Sequence, residues 1–215
     1  MTKPAAFASQ YPPSEHTFRG AITMRLASGG ADVDELVEEF IELAADAALY
    51  FPDEAPIAAE AVPGIVDEVV AAYRAVVTEF SPDATGLLTA LDQLFEAGIL
   101  YSYGNAYDAS EAMEQLEDAH LHLASEGGQL RGYLYSLIPD LDELVLDQRL
   151  DIAFGTFDAD SDAVPGLAER AVAILVKNGL QASWSGDVEE PIVVDPIVMN
   201  APLVDDSEDE SGHDH

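Results

Sequence analysis

The chain has no cysteine. Disulfides and thiolate metal sites are therefore excluded, and the absence suits a reducing compartment. Positive charge is nearly as scarce. Eight Lys and Arg stand against 42 Asp and Glu, a formal net charge of −34 over 215 residues. The only lysines are Lys3 and Lys177. A surface of that sign repels nucleic-acid phosphates and anionic lipid, so direct binding to either is disfavoured. It would also leave a phosphate-handling active site short of positive charge. No apolar run reaches the roughly 18 residues that a membrane span needs. The N-terminal MTKPAAFASQYPPSEH lacks the apolar stretch of a signal peptide. A soluble cytoplasmic protein is expected.

Catalytic signatures are missing too. There is no Gly-x-Ser-x-Gly elbow, no phosphate loop and no Gly-x-Gly-x-x-Gly. Carboxylates are so abundant that no pair stands out as a general acid and base. The expectation leans away from an enzyme and toward a protein that acts through contacts with other proteins.

Apolar residues make up 48% of the chain, enough for a real core. The acidic excess has three readings. It can be solvation of the surface in a salty cytoplasm. It can be a binding surface for a basic partner, as in an immunity-type or nucleic-acid-mimic inhibitor. It can also hold a hard divalent cation.

Along the chain, residues 1–30 carry Pro4, Pro12 and Pro13 among small and polar residues and read as a loose lead-in. Asp32 and Glu35 have capping-box spacing and open a helix with Leu36, Val37, Phe40, Ile41 and Ala44 on one face. A second helix is expected over Gly64–Phe80. A third opens at Ser81-Pro82 and closes at Gly98. Residues 31–98 thus form a helical part. Residues 99–200 alternate: strand Ile99–Tyr103, a helix from Asp108 to Gly127, strand Gly132–Ile138, a short acidic turn, strand Arg149–Phe157, a helix around Leu167–Leu175, and strands at Leu180–Trp184 and Ile192–Val194. The order β-α-β-β-α-β plus one extra strand predicts an α+β fold. N-terminal helices would pack on a ferredoxin-like unit, with a mostly antiparallel sheet and both helices on one face. Residues 31–200 are expected to form one composite domain. Residues 201–215 are expected to be a disordered acidic tail, in which Asp205–His215 has six acids and no apolar residue.

The segments GYLYSLI, LDIAFG and GLQASWSGDVEEPIVV carry a resemblance. Through Gly132, Tyr133, Leu150–Gly155, Gly179, Leu180, Trp184, Gly186, Asp187 and Pro191–Val194, the chain resembles an uncharacterised bacterial family known only as a domain of unknown function. The likeness is read over about Gly98–Asp195. Members of that family carry cysteines and a Gln-Asp-Thr-Glu segment after the Gly-Tyr strand. Here cysteine is absent and Ile138–Glu143 reads IPDLDE, so no thiol or metal role carries over. The resemblance implies a fold and no activity.

Asp158, Asp160 and Asp162, with Glu169 eleven positions after the first, have the carboxylate spacing of a calcium loop. Ala163 stands where that loop needs glycine, and a strand rather than a helix leads in. A calcium or magnesium site, structural or hydrolytic, is the alternative function. The competing reading is an ordinary strand-to-helix turn whose acids favour the helix N-terminus. Glu117 and His120 form half of a di-iron signature that has no second half. His213 and His215 lie in the tail, where a weak metal contact competes with plain disorder. Trp184 reads as core or half-buried sheet more readily than as an interface anchor. Tyr101, Tyr103, Tyr133 and Tyr135 alternate on two neighbouring strands, and together they are expected to line one sheet face as an interaction surface.

Overall fold

The computed structural model describes residues 7, 10–29, 31–125, 127–157 and 161–203. Among them are eight α-helices and a five-stranded sheet. The helices are α1 (Phe18–Ala27), α2 (Val33–Ala45), α3 (Ala47–Tyr50), α4 (Val62–Arg74), α5 (Pro82–Glu96), α6 (Ala109–Ser125), α7 (Ile138–Asp147) and α8 (Val164–Lys177). The strands are β1 (Ile99–Tyr103), β2 (Gly132–Ser136), β3 (Leu150–Gly155), β4 (Ala182–Ser183) and β5 (Ile192–Val194). None of these helices is long and apolar enough to cross a membrane.

Local signals explain most helix starts. Asp32 accepts from the N–H groups of Asp34 and Glu35 at 2.8 and 3.0 Å, and Asp108 does the same for Ser110 and Glu111. The Ser81 hydroxyl accepts from Ala84 N–H, with Pro82 at the first helical position. Helix α4 ends at Arg74, earlier than expected, and the chain to Phe80 leaves helical geometry.

Three expectations are corrected. The loose lead-in contains α1, with Phe18, Ile22, Met24 and Leu26 buried. This helix is covered on most sides, Thr23 included, so it shows no amphipathic stripe to read. The acidic turn after β2 is a full helix, α7. It is capped by Asp140, whose carboxylate accepts the Leu137 N–H at 2.6 Å. The third correction is topological.

The sheet order is β1-β2-β3-β5-β4. β1 and β2 are direct parallel neighbours, and the other three pairings are antiparallel. A ferredoxin-like sheet would insert a strand between the two parallel ones. Here α7 returns the chain to the outer side of β2, so β3 lies beyond it. The fold is α+β with a mostly antiparallel sheet, but the ferredoxin-like arrangement is not the one found. The extra strand β5 also lies inside the sheet, between β3 and β4.

The two helices expected to share one face, α6 and α8, lie on opposite faces. α5 and α8 cover the face of Ile99, Leu134, Leu150, Ile152, Ile192 and Val194, with Leu87, Leu94, Ala168, Ala171 and Leu175 buried against it. Gly86 lets α5 approach the end of α8, since a Cβ there would stand 2.5 Å from the Asn178 carbonyl oxygen. α6 lies on the other face, where His120 stacks on Phe157 and Phe157 meets Tyr133.

A second core holds α1, α2 and α4, with Phe18 edge-on to Phe40 and Phe51. Residues 195–203 strap the two cores together, and residues 201–203, expected at the start of the disordered tail, belong to this strap, with Ala201 buried and Leu203 packed on the helical core. Ile197 N–H donates to Gln148 O, the Ser81 hydroxyl to Val198 O, and the buried Tyr73 hydroxyl to Ala201 O at 2.9 Å. Ile197 and Met199 are buried in the sheet core, whereas Tyr73 belongs to the helical one.

Candidate functional site

Polar chemistry concentrates at the seam between the cores, around Arg25. This arginine sits in the last turn of α1, where the helix dipole favours a cation. Its Nε donates to Glu39 of α2 at 3.2 Å and its Nη1 to Asp142 of α7 at 3.1 Å. The Tyr107 hydroxyl donates to the same Glu39 oxygen at 3.3 Å. The exposed fractions of the three charged side chains are 22% for Arg25, 30% for Glu39 and 27% for Asp142, so the pairs are largely desolvated. Burial works against the Arg25 charge, but Glu39 and Asp142 outweigh it and hold its pKa above the ordinary arginine value. Burial pushes the Asp142 carboxyl up. Arg25 opposes that shift, while Glu15 and Glu39 add to it. The Tyr107 hydroxyl is likewise raised, by burial first and then by Glu39.

Arg25 and Tyr107 bond acids from three helices. Glu111 at the start of α6 accepts the backbone N–H of Tyr107 at 2.9 Å, at the opposite end of the residue from the hydroxyl that reaches Glu39 of α2. Clefts open on both sides of Arg25. One, of about 270 Å³, lies between α2 and the β1–α6 loop and is bounded by Asp32, Glu35, Leu36, Tyr103 and Ile138. The Tyr103 hydroxyl closes its base by donating to Ser28 O at 2.8 Å, and burial raises the pKa of that hydroxyl. The other cleft, of about 350 Å³, is bounded by Glu15, Met24, Tyr50, Phe51, Tyr107 and Asp142.

The four tyrosines do not share a face. The β1–β2 register sets Tyr101 opposite Leu134 and Tyr103 opposite Ser136, while Tyr133 and Tyr135 stand opposite Leu100 and Ser102. Opposed residues in a ladder point to the same side. Tyr101 and Tyr103 therefore pack toward the α5/α8 core, and Tyr133 and Tyr135 stack on each other on the α6 side, ring centroids 6.3 Å apart. Tyrosines spaced alike on two strands share a face in every second register, and the parallel β1–β2 pairing takes one of the others, a single residue away.

Asp158 and Asp160 of the calcium reading lie outside the described residues. Asp162 is exposed in a short 3-10 turn, and Glu169 is exposed on α8. Among the described residues no group of three or more His, Asp or Glu could hold a metal ion. His120 is packed flat on Phe157 at 4.1 Å, with Nδ1 buried and unpaired. His213 and His215 are outside the described residues. Trp184 packs edge-on to Phe154 at 5.5 Å and donates to Asp187 O at 2.9 Å.

Arg25, Glu39, Tyr107 and Asp142 were not singled out by sequence reasoning. The available signal was scarcity: with eight basic residues in the chain, an arginine among the apolar residues of FRGAITMRLA is a place where charge must be compensated.

Residues 12–200 match a family described as a domain of unknown function, DUF6891, and the chain belongs to it. The match takes in the N-terminal helices as well as the half over which the resemblance was read. No curated protein and no solved structure matches the chain.

Proposed function

We propose that the protein works through protein contacts, as an acidic module that engages a basic partner. The observation that supports this reading is that Glu39 of α2 and Asp142 of α7 converge on Arg25, with Glu15 acting on Asp142 and Glu111 of α6 on the Tyr107 backbone. Arg25, which lies among them, is already held by two carboxylates. An inhibitor of the immunity or nucleic-acid-mimic kind is the finer form of the reading. Such a surface steers a cationic partner and makes its association fall with salt.

The test compares two sets of charge removals. Glu38, Glu42, Glu114 and Asp118 are exposed on α2 and α6, whereas Glu60, Asp67, Glu79 and Glu169 are exposed elsewhere. Each set is changed to the neutral amides, and binding of an oligolysine peptide is titrated at low salt. The first set should weaken binding by at least about tenfold more than the second, on the order of 1.4 kcal/mol. Equal losses would mean that the charge only solvates the surface.

A further inference from the structure

We propose that the cleft between Tyr50, Tyr107 and Asp142 receives one arginine side chain of the basic partner. This rests on the reading above and gives it a specific site. The cleft, of about 350 Å³, is at the small end of organic-ligand pockets, about 300–1,000 Å³, so it admits a side chain rather than a folded segment. Its walls are apolar and aromatic, yet several are left in water. Leu49 is 74% exposed, Tyr50 49% and Tyr107 55%, around a Phe51 that is buried. Glu15 and Asp142 stand at the same cleft, with His16 and with Arg25, whose guanidinium is already bonded to Asp142 and Glu39.

Charge selects the occupant. Arg25 neutralises one negative charge, while Glu15, Glu39 and Asp142 supply three, and Asp142 feels both other carboxylates as unfavourable neighbours. A cation entering beside Asp142 relieves that repulsion. An arginine suits the walls better than a lysine. Its flat guanidinium stacks on tyrosine rings and forks onto a carboxylate, and its methylene stem covers Leu49 and Phe51. Arg25 already shows the same chemistry from inside the chain, bonded to Glu39 and Asp142 beneath Tyr107.

The experiment titrates the full chain with an oligoarginine peptide and with oligolysine of equal length, by calorimetry at low salt. Wild type should bind oligoarginine at least about fivefold more tightly than oligolysine. Tyr50→Ala should erase that preference and leave the oligolysine affinity in place. Among the described residues the ring contact of Tyr50 is its neighbour Phe51 at 6.5 Å, and Tyr50 lies outside both cores, so the variant keeps them. Glu15→Gln, at an exposed position, should weaken both peptides by a few fold. If wild type binds both peptides equally and both variants match it, the cleft is not the site, while the basic-partner reading survives. If neither peptide binds wild type, that reading falls and the cleft with it. Sedimentation covers the remaining occupant: a wild-type dimer that Tyr50→Ala turns into monomer would show a second copy in the cleft and overturn the proposal.

Discussion

Replacing Arg25 with methionine is the most informative single change. The side chain keeps an unbranched apolar stem and loses the guanidinium, leaving Glu39 and Asp142 without their cation at the seam with less than a third of each exposed. Removing one partner of a fully buried pair costs about 3–5 kcal/mol, because the remaining charge stays desolvated. Partial exposure and the nearby Tyr107 donor bring the expected loss to about 2–3 kcal/mol. For a chain of this size that lowers Tm by roughly 5–10 °C. Asp142→Asn should behave differently. Burial already disfavours the Asp142 charge, so its carboxyl sits above the ordinary range. The amide still accepts from Arg25, and Arg25 keeps Glu39. The variant should therefore melt within about 1 kcal/mol of wild type. The pH dependence follows from the sign of the shift. With Arg25 gone, burial acts on Asp142 unopposed, and its carboxyl binds protons more readily in the folded state than in the unfolded one. The stability of R25M relative to wild type then rises as pH falls through the carboxylate range. Calorimetric melting across that range measures it. An R25M protein that melts with wild type at neutral pH, or a D142N protein that loses as much as R25M, would refute the reasoning.

Four further outcomes are expected. Tyr73→Phe removes the hydroxyl that holds the strap at Ala201, costing about 1–2 kcal/mol in denaturant unfolding. Because burial pushes the Tyr73 pKa up to about 12, the folded state holds its phenolic proton where the unfolded state has lost it, so wild-type stability should fall as pH rises from about 10 toward 12, together with tyrosinate absorbance. Gly86→Ala should destabilise by about 1–3 kcal/mol, because its methyl group meets backbone at Asn178 and α5 must move off α8; a neutral result in thermal melting would mean that the two helices separate freely. Ile197→Ala should cost about 2–5 kcal/mol, since the side chain is fully buried in the sheet core, and loss of the cooperative transition between the two cores would show as a second melting step.

Much was legible in the order of residues. Helices α2, α5 and α6 declare themselves through Asp32, Ser81-Pro82 and Asp108, whose side chains satisfy N–H groups a few residues away. Strands β1 and β5 fall where alternation places them, because a half-buried strand is a local pattern of period two. Composition alone set the sign of the surface. Helix α1 was not legible, since a segment covered on most sides has no polar face to mark its period. Nor was the course of the chain after β2. Whether β3 slips between two parallel strands or lies outside them depends on pairings between residues far apart in sequence, and no local signal encodes that choice. The same holds for the candidate site. Register, not spacing, sent Tyr101 and Tyr103 to one face and Tyr133 and Tyr135 to the other. Arg25, Glu39, Tyr107 and Asp142 come from four separate stretches and meet only because the helical core closes against α7, where a lone guanidinium must find carboxylates as it leaves water.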